Sequence, residues 1–331
     1  MERIDINLDG ERFSALAKGD GPLVLFAHGF PEIAYSWRHQ IEAAAQAGFR
    51  AVALDMRGYG GSYAPAAIEE YDIISLVGDV AGAIAALGYE AAHLVGHDWG
   101  AAVAWNAGLL APQRFDSITA ISVPFQPRRI GRPPVDTFKK IAQEKDLGEF
   151  YMVRFQEPGL AERQYEADLD HTFRLVASCC SGSTPAEKRF RPFLAPGEAL
   201  LDGYDVPDAP PDWLDERDLS VFVEAYRNSG FAGPLNWYRN LDRNHALTRP
   251  WQDLTIDVPA LYITGELDHV RSWSIAAEKA LPKWLPQLEA THVVPGAGHW
   301  VQQESPDAVN EALIPFLLRR QEAAPRARGA A

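Results

Sequence analysis

Gly96-His97-Asp98-Trp99-Gly100 places a carboxylate between two glycines, after an apolar run and ahead of a helix-like one. In such a turn the glycines permit close backbone approach, and the central side chain projects above the sheet. That centre is commonly serine, whose alkoxide attacks acyl carbon. A carboxylate attacking an ester would give an unstable anhydride, whereas at a saturated carbon it gives an ordinary ester. Asp98 therefore requires a substrate with an alkyl leaving group, which an epoxide and an alkyl halide both provide. A lone Asp between glycines would equally suit a turn or a helix N-cap. The strand before it and the motifs described below favour the chemical reading.

An ester on Asp98 has to be hydrolysed, which needs water and a base titrating near neutrality, a task suited to histidine. Of nine histidines, His299 stands apart, in Gly296-Ala297-Gly298-His299-Trp300, after the last strand-like run and before the last helix. His97 adjoins the nucleophile and is expected to face the sheet. Two carboxylates could orient His299, Glu266 and Asp268 of Thr264-Gly265-Glu266-Leu267-Asp268-His269. Hydrolysis drives negative charge onto an Asp98 oxygen, and backbone N–H groups should receive it. The candidates are those of Trp99, next to the nucleophile, and Phe30, in the loop after Leu23–Ala27.

The elements that must hold these residues are short apolar runs alternating with helical stretches. Leu23–Ala27, Ala51–Leu54, Ala92–Val95, Ile118–Ile121 and Ala260–Ile263 read as strands buried on both faces. Helical stretches cover Ser36 to Ala47, Ile73 to Leu87 and Ala101 to Leu110. This alternation predicts an α/β fold with a mostly parallel sheet, helices on both faces, and functional groups at the carboxyl ends of the strands. From about Pro127 to Arg249 the strand runs vanish and the chain turns helical, aromatic and rich in proline. The predicted organisation is a discontinuous core, residues 1–126 and 247–320, with a mainly helical cap or lid at 127–246. A disordered tail is expected at 321–331.

Composition narrows the partners. With 331 residues, 47% of them hydrophobic, the chain can bury a full core. A net charge of -14 repels phosphates and anionic headgroups, so neither nucleic acid nor a membrane surface is an expected partner. The two cysteines, Cys179 and Cys180, are adjacent and are expected as reduced thiols. No charged-then-apolar leader and no span of membrane length are visible, and a cytoplasmic monomer or homodimer is expected. No Cys/His cluster has metal-ligand spacing, so neither a metal nor an organic cofactor is expected.

At this point the chain resembles the epoxide hydrolase branch of the α/β-hydrolase fold family, from about Ile6 to Leu318. The motifs that carry the likeness occur in the family's order. They are His28-Gly29-Phe30-Pro31 with Ser36-Trp37-Arg38, then Asp55-Met56-Arg57-Gly58-Tyr59-Gly60-Gly61-Ser62, then the Asp98 turn. Phe155-Gln156-Glu157-Pro158-Gly159 and Gly233-Pro234-Leu235-Asn236-Trp237-Tyr238 follow, within the expected cap. The resemblance implies a triad in the order Asp98, Asp268, His299, and it implies a cis peptide at Phe30–Pro31. It also implies that Tyr151 and Tyr238 hold the oxygen of a small-molecule epoxide and give it a proton while Asp98 attacks. A phenol with a pKa of about 10 can serve as that neutral acid. Pro31, Trp37, Phe155 and Trp237, with the Trp99 side chain, are expected to line the pocket. The Arg128, Arg129 and Arg132 cluster reads as solvated surface.

Two rival functions remain at this level. A haloalkane dehalogenase would use the same Asp-His-Asp set with Trp99 as a halide ligand. It would need a second N–H donor where this chain has Phe30, however, and would have no use for paired cap tyrosines. A haloacetate dehalogenase would want Arg beside the nucleophile, where Trp99 stands. A ligand-binding sensor could retain the fold without turnover, though such a protein would often have lost one of these groups.

Overall fold

The computed structural model describes residues 1–204, 207 and 209–323. Its main sheet joins β1 (Glu2–Leu8), β2 (Glu11–Lys18), β3 (Leu23–Ala27), β4 (Arg50–Leu54), β5 (Ala92–His97) and β6 (Phe115–Ile121). After a two-stranded ribbon, β7 (Glu149–Phe150) with β8 (Phe193–Leu194), it resumes with β9 (Ala260–Gly265) and β10 (Leu288–Val294). The order is β1-β2-β4-β3-β5-β6-β9-β10. Every pairing from β4 to β10 is parallel, while β1 and β2 form an antiparallel edge on β4. The expected mostly parallel sheet is therefore present, with the β1–β2 hairpin added. Its turn is Asp9-Gly10, both at positive φ (52° and 100°), the geometry a two-residue hairpin requires.

The strands divide their side chains between two layers, as the two-residue period demands. Leu23, Leu25 and Ala27 of β3 pack with α2 (Ile73–Ala86) and α3 (Trp99–Leu110). Val24 and Phe26 pack on the opposite face with α1 (Arg38–Gln46) and a C-terminal helix. The stretch read as one helix from Ser36 is a 3-10 turn, Ala34–Trp37, leading into α1.

Between β6 and β9 the chain forms α4 (Pro134–Lys145), α5 (Tyr151–Arg154), α6 (Leu160–Glu166), α7 (Leu169–Cys179), α8 (Glu216–Ser229), α9 (Ala232–Arg239) and α10 (Leu241–Leu247). Phe155, Phe231 and Trp237 make its core continuous with the α2–α3 layer of the sheet. The chain then adds α11 (His269–Trp284), α12 (Val301–Glu304) and α13 (Pro306–Ala323), the helix opposite α3. The tail expected from Gln321 thus begins as the last turn of α13, and residues 324–331 lie outside the described residues. Among the described residues no helix is long and apolar enough to cross a membrane.

Candidate active site

Asp98 sits at the carboxyl end of β5 with φ 51° and ψ -116°, a conformation that non-glycine residues avoid. The neighbouring glycines explain how it is held there. A Cβ on Gly96 would lie 2.1 Å from the Gly100 carbonyl oxygen, and one on Gly100 would lie 2.0 Å from that of Ala27. A Cβ on Gly29 would lie 2.4 Å from Asp98 Oδ1. The strand, the helix and the Gly29–Phe30 loop therefore close around the carboxylate at backbone distance. The Phe30 N–H donates to Asp98 Oδ1 at 2.9 Å, and the Trp99 N–H also bonds the carboxylate. The Phe30–Pro31 peptide is cis. His28 fixes the same loop: its Nε2 accepts from the Met56 N–H at 3.0 Å, so its Nδ1 carries the hydrogen and donates to the Gly29 carbonyl at 2.9 Å. Burial pushes the Asp98 carboxyl up, against the pull of His299, His97 and the two N–H groups.

His299 faces Asp98, with Nε2 3.9 Å from Oδ2. Its Nδ1 lies 3.1 Å from Asp268 Oδ1, and the same Asp268 oxygen caps α11 by accepting the Val270 N–H at 2.9 Å. The turn-forming role and the orienting role of Asp268 are thus filled by one atom. Glu266, the rival, is exposed and accepts from the Gly296 N–H instead. Burial alone would lower the His299 pKa and raise that of Asp268. Their mutual attraction prevails: His299 rises to about 9, with Asp98 adding to the effect, and Asp268 falls well below the usual carboxylate range.

Three further groups went unnoticed in the sequence. Ser122, at φ 73° after β6, puts its hydroxyl 3.1 Å from His299 Nδ1 and also bonds Asp268. Glu32, directly after Phe30-Pro31, is buried against His97, Nδ1 to Oε2 at 2.6 Å. His97 Nε2 in turn donates to the His299 carbonyl at 2.8 Å. Burial would raise the Glu32 carboxyl, yet the attraction and hydrogen bond of His97 hold it near 2. Gln302 and Gln303 complete the cage on Glu32 at 2.9 and 3.0 Å. His269 is the third. It stacks 4.7 Å from His299, and burial, then the His299 charge, hold its pKa near 3. Asp268, His269 and His299 bring potential ligand atoms within 4.8 Å.

The opposite wall comes from the insertion. Tyr151 opens α5 and Tyr238 lies in α9, with rings 6.4 Å apart. Burial, then the Asp98 charge, pushes both phenols well above their ordinary pKa. Gln156 donates to the carbonyls of Met152 and Tyr238, at 2.8 and 3.0 Å, and so ties the two tyrosine segments together. Trp237 reaches the core, its indole donating to the Arg57 carbonyl at 3.0 Å. Gly58 and Gly233 meet backbone to backbone, since a Cβ on Gly58 would lie 2.9 Å from the Gly233 Cα. These two motifs dock the insertion on the sheet.

A cavity of about 500 Å³ lies between these walls, bounded by Phe30, Pro31, Asp98, Tyr151, Tyr238 and His299. Phe155 also lines it, packed 4.9 Å from Tyr238. Three expected lining residues lie elsewhere. Trp37 is fully buried on the α1–α13 side of the sheet, 5.1 Å from Phe26, because it ends the 3-10 turn on that face. Trp237 is buried behind Trp99 and Tyr59, where its indole serves the Arg57 carbonyl. Trp99 lines not this cavity but a second one. The insertion supplies further walls that the sequence did not suggest, including Phe190 and both free cysteines, and α11 adds Trp273.

Comparison with known proteins identifies the family and the fold. Residues 22–165 match the family model described as alpha/beta hydrolase fold. Epoxide hydrolase A of Mycobacterium tuberculosis is 41% identical over 94% of this chain and 96% of its own length. Epoxide hydrolase 3 of Siraitia grosvenorii is 37% identical over 96% and 98%. Among solved structures, an epoxide hydrolase from an endophytic Streptomyces is 40% identical with a TM-score of 0.93, covering 97% of this chain and 96% of that one.

Proposed function

The chain belongs to the epoxide hydrolases of the α/β-hydrolase fold, and on that footing we propose that it converts an epoxide to a vicinal diol through an alkyl ester on Asp98. The observation that carries this reading is the placement of the Asp98 carboxylate. One oxygen is held by the Phe30 N–H and the other points toward His299, in a cavity also lined by two neutral phenols. In this reading residues 127–246 form the cap over the core.

Asp98 Oδ2, the oxygen nearer His299, attacks a ring carbon and the carbon–oxygen bond of the epoxide breaks. Tyr151 or Tyr238 gives its proton to the departing oxygen. Water between His299 and the ester then yields a proton to Nε2 and adds to the Asp98 carbonyl carbon. Charge gathers on Oδ1, which faces the Phe30 N–H, with the Trp99 N–H also directed at the carboxylate. Collapse expels the diol oxygen, which takes the proton from His299. Asp98 re-ionises, and the proton it releases restores the tyrosine.

A single turnover in oxygen-18 water tests the route. The first diol should carry unlabelled oxygen from Asp98, with label entering the enzyme. Immediate labelling of the diol would mean direct attack by water, and halide release from short haloalkanes without diol from epoxides would replace the assigned substrate class.

If both phenols share the ring oxygen, Tyr151→Phe and Tyr238→Phe should each slow alkylation by about 10- to 100-fold, and the pair by about 10³-fold or more. Stopped-flow tryptophan fluorescence follows that step, and a double variant alkylating at the wild-type rate would remove the tyrosines from the chemistry.

The charges also predict a pH signature. Asp98 must be ionised to attack, so alkylation is lost as pH falls through its raised pKa. His299 must be neutral to take a proton, and at about 9 it is charged in the resting site, partly because of Asp98. Esterification removes that charge, and a carboxylate at this range moves a titration by about one to three pH units. Ester hydrolysis should therefore rise with pH about a midpoint below that of His299 in the free enzyme. The two are measured by single-turnover rates and by NMR titration of the imidazole. Coincident midpoints would show that Asp98 does not set the charge of His299.

A further inference from the structure

A second cavity of about 430 Å³, with Trp99 among its walls, lies between α3, α4 and α10. Its floor is apolar, built from Trp99, Trp105 and Leu109. Arg128, Arg129 and Arg132 stand at its rim. None of the three has a carboxylate partner among the described residues, whereas Arg57, Arg154, Arg174 and Arg239 are all paired. Arg128 is held by neutral acceptors only, its Nε at 2.6 Å from the His245 carbonyl and an Nη at 2.5 Å from Gln252 Oε1. Two of the acids on adjoining segments are otherwise engaged. Asp242 accepts the Val135 N–H at the start of α4, and Asp253 accepts from Gln252. In a chain of net charge -14, three unopposed guanidinium groups around one apolar hollow make a local positive field.

We propose that this pocket binds a single-chain amphiphile with a carboxylate head, its tail against Trp99, Trp105 and Leu109 and its head among Arg128, Arg129 and Arg132. Guanidinium groups bind carboxylates through paired N–H donors, and an apolar slot excludes the water that would weaken the pairing. The pocket is separate from the chemistry, since Asp98, Tyr151, Tyr238 and His299 line only the first cavity. The two cavities share Val123, Gln126, Phe138 and Ile141 as a common wall. An occupant of one therefore presses on side chains that bound the other, which makes the pocket a place from which substrate entry can be adjusted.

Decanoate and decan-1-ol, titrated against the intact protein by tryptophan fluorescence, separate head-group recognition from tail burial. Decanoate should bind at least about tenfold more tightly than the alcohol, as charge-assisted pairing predicts. The double variant Arg129→Glu/Arg132→Glu alters two exposed rim residues with no side-chain hydrogen bonds among the described residues, so its fold is not at stake. It should lose the preference for decanoate while keeping the affinity for the alcohol. The KM for a small neutral epoxide should stay unchanged, which separates this pocket from the catalytic one. Equal binding of acid and alcohol by the wild-type protein would overturn the proposal, as would a decanoate preference that survives charge reversal.

Discussion

Asp98→Ala should form no measurable diol, a fall of at least about 10⁴-fold of the kind seen when a covalent nucleophile is removed. Among the described residues lining the catalytic cavity, Asp98 is the only carboxylate. The cysteines are the other nucleophiles on that wall, with sulfurs 3.8 Å apart. The Cys180 thiol is driven well above its ordinary pKa, first by its hydrogen bond with Cys179 and then by burial, so it stays protonated and unreactive. The variant should unfold at the same temperature as the parent or higher. A buried anion is lost, and alanine meets the same positive φ that Asp98 already bears. Thermal unfolding beside product analysis separates lost chemistry from lost fold. Diol formation at the parental rate would leave His299 driving water directly onto the epoxide and would end the covalent scheme.

The parts of the site legible in the sequence were those whose constraint is local. The glycines around Asp98 are needed because three backbone segments meet there, and a constraint of that kind fixes residue types at fixed spacing. The parallel strands were equally plain, being buried on both faces and hence continuously apolar. The β1–β2 hairpin was missed because its strands are half exposed and charged, with only Asp9-Gly10 to mark the turn. Trp37 and Trp237 went astray for a different reason. A motif fixes that a tryptophan is buried but not what buries it: Trp37 ends a 3-10 turn against the α1–α13 layer, and Trp237 points from α9 to the Arg57 carbonyl. Glu32, Ser122 and His269 escaped, and His97 was placed without its partners, because their roles exist only in three dimensions. Glu32 and His97 are 65 positions apart, and His97 and His299 are 202 apart.

Contacts of this kind account for the rigidity of His299. His299 is held at Nδ1 by Asp268 and Ser122, and at its carbonyl by His97, which is itself clamped by Glu32. Its backbone N–H donates to the Cys180 carbonyl at 2.9 Å, so the insertion also touches the loop that carries it. The ring is thus positioned from three sides while Nε2 remains directed at Asp98.

With that frame intact, His299→Gln should separate the two half-reactions. Glutamine approximates the volume of the ring and retains a polar end, but it cannot take a proton from water near neutrality. Alkylation draws on Asp98 and the tyrosines and should continue, within about tenfold of the parental rate by comparison with the losses expected for a missing base. Hydrolysis should slow by about 10³-fold or more, leaving one equivalent of substrate bound as an ester. Intact-protein mass spectrometry should then find the enzyme heavier by one epoxide, with the increment on the peptide containing Asp98. The variant should also need a higher pH for alkylation, because the His299 charge that favours the Asp98 carboxylate has gone while burial remains. Steady diol production with no adduct on Asp98 would show that another group hydrolyses the ester or that no ester forms. The oxygen-18 label distinguishes the two, since only the first places the original Asp98 oxygen in the diol.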